Sequence, residues 1–160
     1  MNRLLLTSAA ILTCAAAAPA FAKPDRAFLD SAMKGDNSEV TLGRIGEQRA
    51  MRPAVRDFAH MLVTDHGEHF NKVADMAKAM GMTPTDAIMP EAAQEQRKLR
   101  RLSGRAFDRE FVRYMINDHR EDIREFKAQA AGTGPTARMA SDTLPTLHHH
   151  LETAISLKRG

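Results

Sequence analysis

The sequence predicts an all-α fold, an up-and-down four-helix bundle with one longer connection carrying a short helix between helices two and three. Three observations lead there. Apolar residues recur at three- and four-residue steps over long stretches, and nowhere do they alternate usefully with strand period. Ala, Met, Leu, Glu, Lys and Arg dominate, while β-branched residues are few. Pro53, Ser103-Gly104 and Gly134-Pro135 mark where long helices begin or end.

Residues 1–22 stand apart from that pattern. Arg3 precedes an apolar run from Leu4 to Ala18, followed by Ala20-Phe21-Ala22. This is a charged start, a segment too short to span a bilayer and an A-x-A cleavage signal, so the expectation is a signal peptide cut after Ala22. Lipid attachment at Cys14 is the alternative, but Ile11-Leu12-Thr13 is a poor match to the small residues such a site prefers. The mature protein is then periplasmic or secreted. Removing 22 of the 160 residues leaves 138, a single domain over 23–160. The lone cysteine falls in the leader, which excludes disulfides and thiol chemistry from the mature chain.

The first helix spans about Asp25 to Met51, with Phe28, Ala32, Gly35, Leu42 and Gly46 on one stripe and Glu39 interrupting it. Pro53 suits the first turn of the second, whose stripe runs Val55, Phe58, Leu62, His66, His69, Val73, Met76 or Ala77, and Met80. Gly81 ends it. Pro84 and Pro90 then introduce a loop and a short helical piece from about Glu91 to Leu102. The third long helix, about Arg105 to Ala131, buries Phe107, Phe111, Met115 and Phe126, with His119 in step. The fourth carries Leu144, Leu147, Leu151 and Ile155, and Pro145 either kinks it or marks its start.

Net charge excludes a nucleic-acid footprint. Without Arg3 the chain has 22 basic and 20 acidic residues, a balance of +2. One basic cluster remains, Arg97, Lys98, Arg100, Arg101 and Arg105, which is either a solvated face or a surface for an anionic envelope component. Neither a Ser-His-Asp arrangement, a phosphate-binding glycine loop nor a cysteine nucleophile is present, so the expectation leans away from an enzyme.

The chemistry concentrates at one level. Glu39 lies 14 residues before Pro53 and His66 lies 13 after it; His119 lies 16 before Pro135, with His148 and His150 13 and 15 after it. At about 1.5 Å rise per residue, helices folded back on each other at these prolines bring the groups to within a few Å of the same height. Buried carboxylate and imidazole need compensation. Either they surround a divalent metal such as Zn²⁺, Cu²⁺ or Fe²⁺, or they form a hydrogen-bonded layer with Glu39 paired to a protonated histidine. A di-iron centre built on Glu-x-x-His is disfavoured, because Val63, Ile116 and Leu147 occupy the positions three before His66, His119 and His150.

His69, one turn after His66, either joins the same metal or sits at its edge. Within His148-His149-His150 only one or two side chains can face inward, and His148 suits the apolar stripe better. Asp65, Asp118 and Asp122 either orient the imidazoles or are ordinary surface acids. Met76, Met80, Met82 and Met89 could offer thioethers to copper, but packing explains them more simply.

These residues also carry a family resemblance. Glu39-Val40, Val55-Arg56-Asp57-Phe58-Ala59 with Asp65-His66, Leu102-Ser103-Gly104 with Phe107-Asp108, Met115 to His119, and Leu144-Pro145 with His150-Leu151 resemble the exported bacterial family known as domain of unknown function 4142. The resemblance covers nearly all of the mature chain. It implies a ferritin-like bundle and export, with no assigned activity. It also implies that the acid and histidines correspond to Glu39, His66, His119 and His150, which favours His150 over His148 and leaves His69 and His148 as additions of this chain. The outer-membrane label often attached to that family finds no barrel-strand alternation here.

Overall fold

The computed structural model describes residues 23–159, so the expected leader and Cys14 lie outside the described residues. Five helices and no strand occur among them: α1 Lys23–Arg49, α2 Pro53–Ala79, α3 Pro90–Leu99, α4 Gly104–Ala130 and α5 Pro135–Arg159. None is long and apolar enough to cross a membrane.

The expected punctuation has its expected causes. Pro53 and Pro90 sit at helix starts, where the missing N–H is no loss. Gly81, at φ +66, closes α2 through bonds from Gly81 N to Lys78 O and Met82 N to Ala77 O, each 2.9 Å. This is a Schellman cap, which needs a left-handed residue at that position. Pro145 proves to lie inside α5, not at its start. Pro145 is an exposed residue, as is Ser141, whose carbonyl loses its helical donor to the proline.

Helices α1 and α2 pack along each other, as do α4 and α5. Two apolar clusters fill the interior. One gathers Leu42, Val55, Phe58, Phe107, Phe111, Met115 and Ala154; the other gathers Leu29, Met33, Val73, Ala77, Ile123, Phe126 and Leu147. The order in which each helix meets these clusters gives its direction. Helices α1 and α5 run from the second cluster to the first, whereas α2 and α4 run from the first to the second.

The up-and-down expectation therefore needs correction. It holds within α1–α2 and within α4–α5, but α2 and α4 run the same way, and the connection between them must travel back along the molecule. Side chains of α1 hold it along the route. Arg26 donates to Met80 O, Asn37 Nδ2 to Thr85 O at 2.9 Å, and Arg49 to Leu102 O at 2.9 Å. Ser38 Oγ accepts from Met89 N at 2.9 Å. Two short hairpins can reverse direction in a few residues; a 24-residue connection containing α3 is long enough to return.

Two contacts set the geometry of the first hairpin. A Cβ on Gly46 would come 2.7 Å from Ala59 Cβ and 2.9 Å from Phe111 Cζ, so only glycine admits this approach. The buried Asp108 of α4 accepts from Met51 N at 2.8 Å and Arg52 N at 2.9 Å, satisfying the turn's free backbone donors. The methionines considered for copper pack instead, Met76, Met80 and Met82 on the second cluster and Met89 on the first. All five residues of the basic cluster are exposed, and Lys98 is paired with Glu110.

Gly46→Val is expected to destabilise the fold by about 2 kcal/mol through overpacking. Gly35→Ala, where an added Cβ meets nothing within 4 Å, is expected to stabilise it by about 0.5–1 kcal/mol. Urea denaturation of both variants checks the pair, and equal midpoints would refute the close approach as the reason for Gly46.

Candidate metal centre

Between the two apolar clusters lies a polar layer. Glu39 of α1, His66 of α2, His119 of α4 and His150 of α5 meet there at 1, 4, 0 and 0 % exposure. All four are brought inward by the helical phase of their neighbours. Of the triple histidine run, His150 is buried, His148 half-buried and His149 exposed. The apolar stripe favours His148 because Leu144 and Leu151 frame it, yet both of those are only half-buried. The buried line of α5 is Ala140, Leu147, His150 and Ala154.

Hydrogen bonds determine which ring nitrogens are free. His119 Nδ1 lies 3.0 Å from Met115 O, and a carbonyl can only accept, so Nδ1 carries hydrogen. His150 Nε2 donates to Asp65 Oδ2 at 2.8 Å. In the neutral rings this leaves His119 Nε2 and His150 Nδ1 as lone pairs, and these two atoms face each other at 3.2 Å. His66 Nδ1 donates to Asp36 Oδ1 at 2.9 Å and lies 2.7 Å from Glu39 Oε2 as an ion-pair contact. Its Nε2 is buried with no hydrogen-bond partner. Glu39 Oε1 is likewise buried and without one: it lies 3.2 Å from His119 Nε2, but the contact lacks hydrogen-bond geometry.

Ligating atoms of His66, His119 and His150 all lie within 4.8 Å of one another. Glu39 belongs to two adjoining sets at the same spacing, one with Asp36 and His66, the other with Asp118, His119 and Asp122. The acid thus abuts the imidazole trio and links it to further carboxylates on each side.

His69 points elsewhere. Its Nδ1 donates to Asp36 Oδ2 at 2.9 Å, and its Nε2 lies 3.1 Å from Thr143 Oγ1 and 3.3 Å from Met139 Sδ. Sequence reasoning passed over Asp36, which holds both His66 and His69. The signal was available: Asp36 and Glu39 are three apart on one helix face, and Gly35 took its place in the stripe. Asp65, among the acids expected near the histidines, does orient one of them.

Burial would raise the Glu39 pKa, but the charges of His66 and His119 bring it down to about 2. Burial opposes protonation of His66 too; Glu39 and Asp36 overcome this and raise its pKa well above normal. Burial prevails at His119, lowered to about 4, and at His150, also lowered. At neutral pH the layer holds one carboxylate, one imidazolium and two neutral imidazoles. On the other side of Glu39, burial and the Glu39 charge raise Asp118 to about 7, and burial, Glu39 and Asp118 raise Asp122.

Two cavities adjoin the layer. One of about 390 Å³ between α1 and α4 reaches Asp36, Glu39, His66 and His69, with Asp118 and Asp122 on its wall. The other, about 360 Å³, lies between α2 and α5 and is lined by Asp65, His69, Met139 and Thr143.

The model of the domain of unknown function DUF4142 matches residues 11–157, and the chain belongs to that family. No curated protein matches it significantly. Among solved structures it is similar to a DUF305 fragment from Deinococcus radiodurans, with a TM-score of 0.77 and 20 % identity over 87 % of this chain and 98 % of that one. It is also similar to CopM in the Cu(II)-bound form, with a TM-score of 0.72 and 13 % identity over 84 % of this chain and 95 % of that one. At such identities the likeness is one of fold.

The lowered imidazole pKa values give metal-free protein an acid-sensitive stability. A group whose folded pKa lies below its unfolded value stabilises the fold above the unfolded pKa and loses that contribution as pH falls. For His119, lowered from 6.5 to about 4, roughly 3 kcal/mol is expected to disappear across that interval. Glu39 follows between 4.5 and about 2. His66 has the opposite sign, its contribution being complete below 6.5 and lost as pH rises from there to its raised pKa. Urea midpoints measured from pH 7 to pH 4 check this, and a flat profile there would contradict the buried, neutral state of His119.

Proposed function

We propose that this is an exported metal-binding protein of the cell envelope, a ferritin-like four-helix bundle whose one long crossover carries α3. It holds one divalent ion on His66 Nε2, His119 Nε2 and His150 Nδ1, with Glu39 as the carboxylate member of the set. The observation that carries this reading is the convergence of three imidazoles whose other nitrogens are already committed. In the absence of a cation, two neutral lone pairs face each other at 3.2 Å, and a buried imidazole nitrogen and a carboxylate oxygen lack partners. A cation turns all four into ligands.

The outer contacts support the same reading. Carboxylates at Asp36 and Asp65 receive the remaining N–H of His66 and His150, and Met115 O receives that of His119, which is how metal-bound imidazoles are normally oriented. Nitrogen-rich sets with a carboxylate suit Cu²⁺, Zn²⁺ and Fe²⁺, with Cu²⁺ expected to bind most tightly of the three. The likeness to a protein solved with Cu(II) supports that order. The signal-like start of the sequence supports export.

One observation favours a second reading, in which the layer is purely structural. The Glu39 and His66 side chains satisfy each other's charge at 2.7 Å without any metal. A structural layer of this kind sets helix register and leaves the exposed basic cluster as the interaction surface. It does not account for the facing lone pairs.

Untagged protein stripped with a chelator and reloaded is expected to retain about one Cu²⁺ or Zn²⁺ per chain by elemental analysis. His119→Ala is expected to retain less than about a tenth of that. Affinity should weaken as pH falls, because ligation removes a proton from His66. Wild-type protein that keeps no Cu²⁺, Zn²⁺ or Fe²⁺ would sink the metal reading, and Glu39→Gln would then lower the melting temperature without any metal dependence.

A further inference from the structure

The cavity between α1 and α4 is lined by seven carboxylates and two histidines, with no lysine or arginine on its wall. Three of those carboxylates converge. Asp118 and Asp122 stand one turn apart on α4, and an oxygen of each lies within 4.8 Å of the other, of a Glu39 oxygen and of a His119 nitrogen. Of the Glu39 oxygens, Oε2 is engaged by His66, while Oε1 is buried, unpartnered and on the His119 side. Neither Asp118 nor Asp122 forms an ion pair with lysine or arginine among the described residues. Tyr114 lines the same cavity beside Asp118 and brings no positive charge.

We infer that Glu39, Asp118 and Asp122 form a second cation site, selective for oxygen-preferring divalent ions of the Mn²⁺ class and reached through the α1–α4 cavity. The Glu39 carboxylate is common to this site and the imidazole centre. Three carboxylates within mutual reach repel one another, and a divalent ion among them turns that repulsion into attraction. Carboxylate and water suit a hard ion, and the cavity has room for the waters that such an ion retains. The imidazole trio offers the opposite chemistry. The two sites therefore divide divalent ions by softness, hard ones on the α4 carboxylates and borderline ones among the rings.

The approach is built for cations as well. Glu91, Glu121 and Glu125 extend the acidic wall outward, although Glu121 is engaged with Arg124. A cleft of one sign concentrates counter-ions of the other, so the same wall serves as the entrance to the deeper centre.

The inference goes beyond the imidazole centre, and its test separates the two. Chelator-stripped protein is titrated with Mn²⁺, read by loss of the free-ion EPR signal, and separately with Zn²⁺, read by elemental analysis. Wild type is expected to bind one Mn²⁺ and one Zn²⁺ per chain. Asp118→Asn/Asp122→Asn should weaken Mn²⁺ binding on the order of a hundredfold while keeping Zn²⁺. His150→Ala should do the reverse, because His150 lies outside the carboxylate set. Circular dichroism confirms that each variant folds. Should the double variant not fold, the single Asp122→Asn and the rise of the wild-type melting temperature with Mn²⁺ replace it. No Mn²⁺ binding to wild type, or binding that the aspartate changes leave untouched, overturns the site. Mn²⁺ binding without Zn²⁺ binding upholds it and removes the imidazole centre instead.

Discussion

A buried carboxylate in contact with imidazoles is the constraint on which the rest of the molecule depends. Glu39 is 1 % exposed, and an isolated charge at that depth would cost several kcal/mol. Its cost is offset only if His66 arrives from α2 with its ring nitrogen 2.7 Å away and His119 arrives from α4 close by. Three helices must therefore stop at one relative height. His150 brings in the fourth, and its bond to Asp65 ties α5 back to α2. Apolar packing alone tolerates sliding; a polar layer with defined partners does not.

The architecture around that layer reads as a means of holding it. The close approach at Gly46 and the capture of the 51–52 backbone by Asp108 set the first hairpin against α4. The returning connection is anchored to α1 at Arg26, Asn37, Ser38 and Arg49, along nearly the full length of that helix. It covers α1 beside the α1–α4 cavity, where Met89 and Glu91 enter the wall. Crossover and cavity are thus parts of one arrangement, since a short turn at that point would leave no such wall.

Fold and chemistry rest on different grounds here. Family membership and the likeness to two solved helical structures establish what the chain looks like. They do not assign ligands. That assignment comes from counting donors and acceptors: each imidazole of the trio commits one nitrogen to Met115 O or a carboxylate, and one remains facing its neighbours. The asymmetry of the layer, nitrogen-rich toward α5 and oxygen-rich toward α4, follows from which helix faces supply histidine and which supply aspartate.

By itself the sequence determined the helices, most of their ends though not the start of α5, and the height at which the acid and imidazoles meet. Those depend on local periodicity and on short proline-marked hairpins, where counting residues equals measuring distance. It could not determine the direction of α4 relative to α2, because a 24-residue connection can either turn or return. Stripe position pointed to His148, and the family pattern to His150; packing settled it, since the buried line of α5 is rotated from the line its leucines suggest. The partners of Asp36 were fixed only by α2 lying beside α1, and those of the Asp118–Asp122 pair only by α1 lying beside α4. An acid on an amphipathic helix looks the same in sequence whether it faces water or a buried imidazole, and only the neighbouring helix decides which.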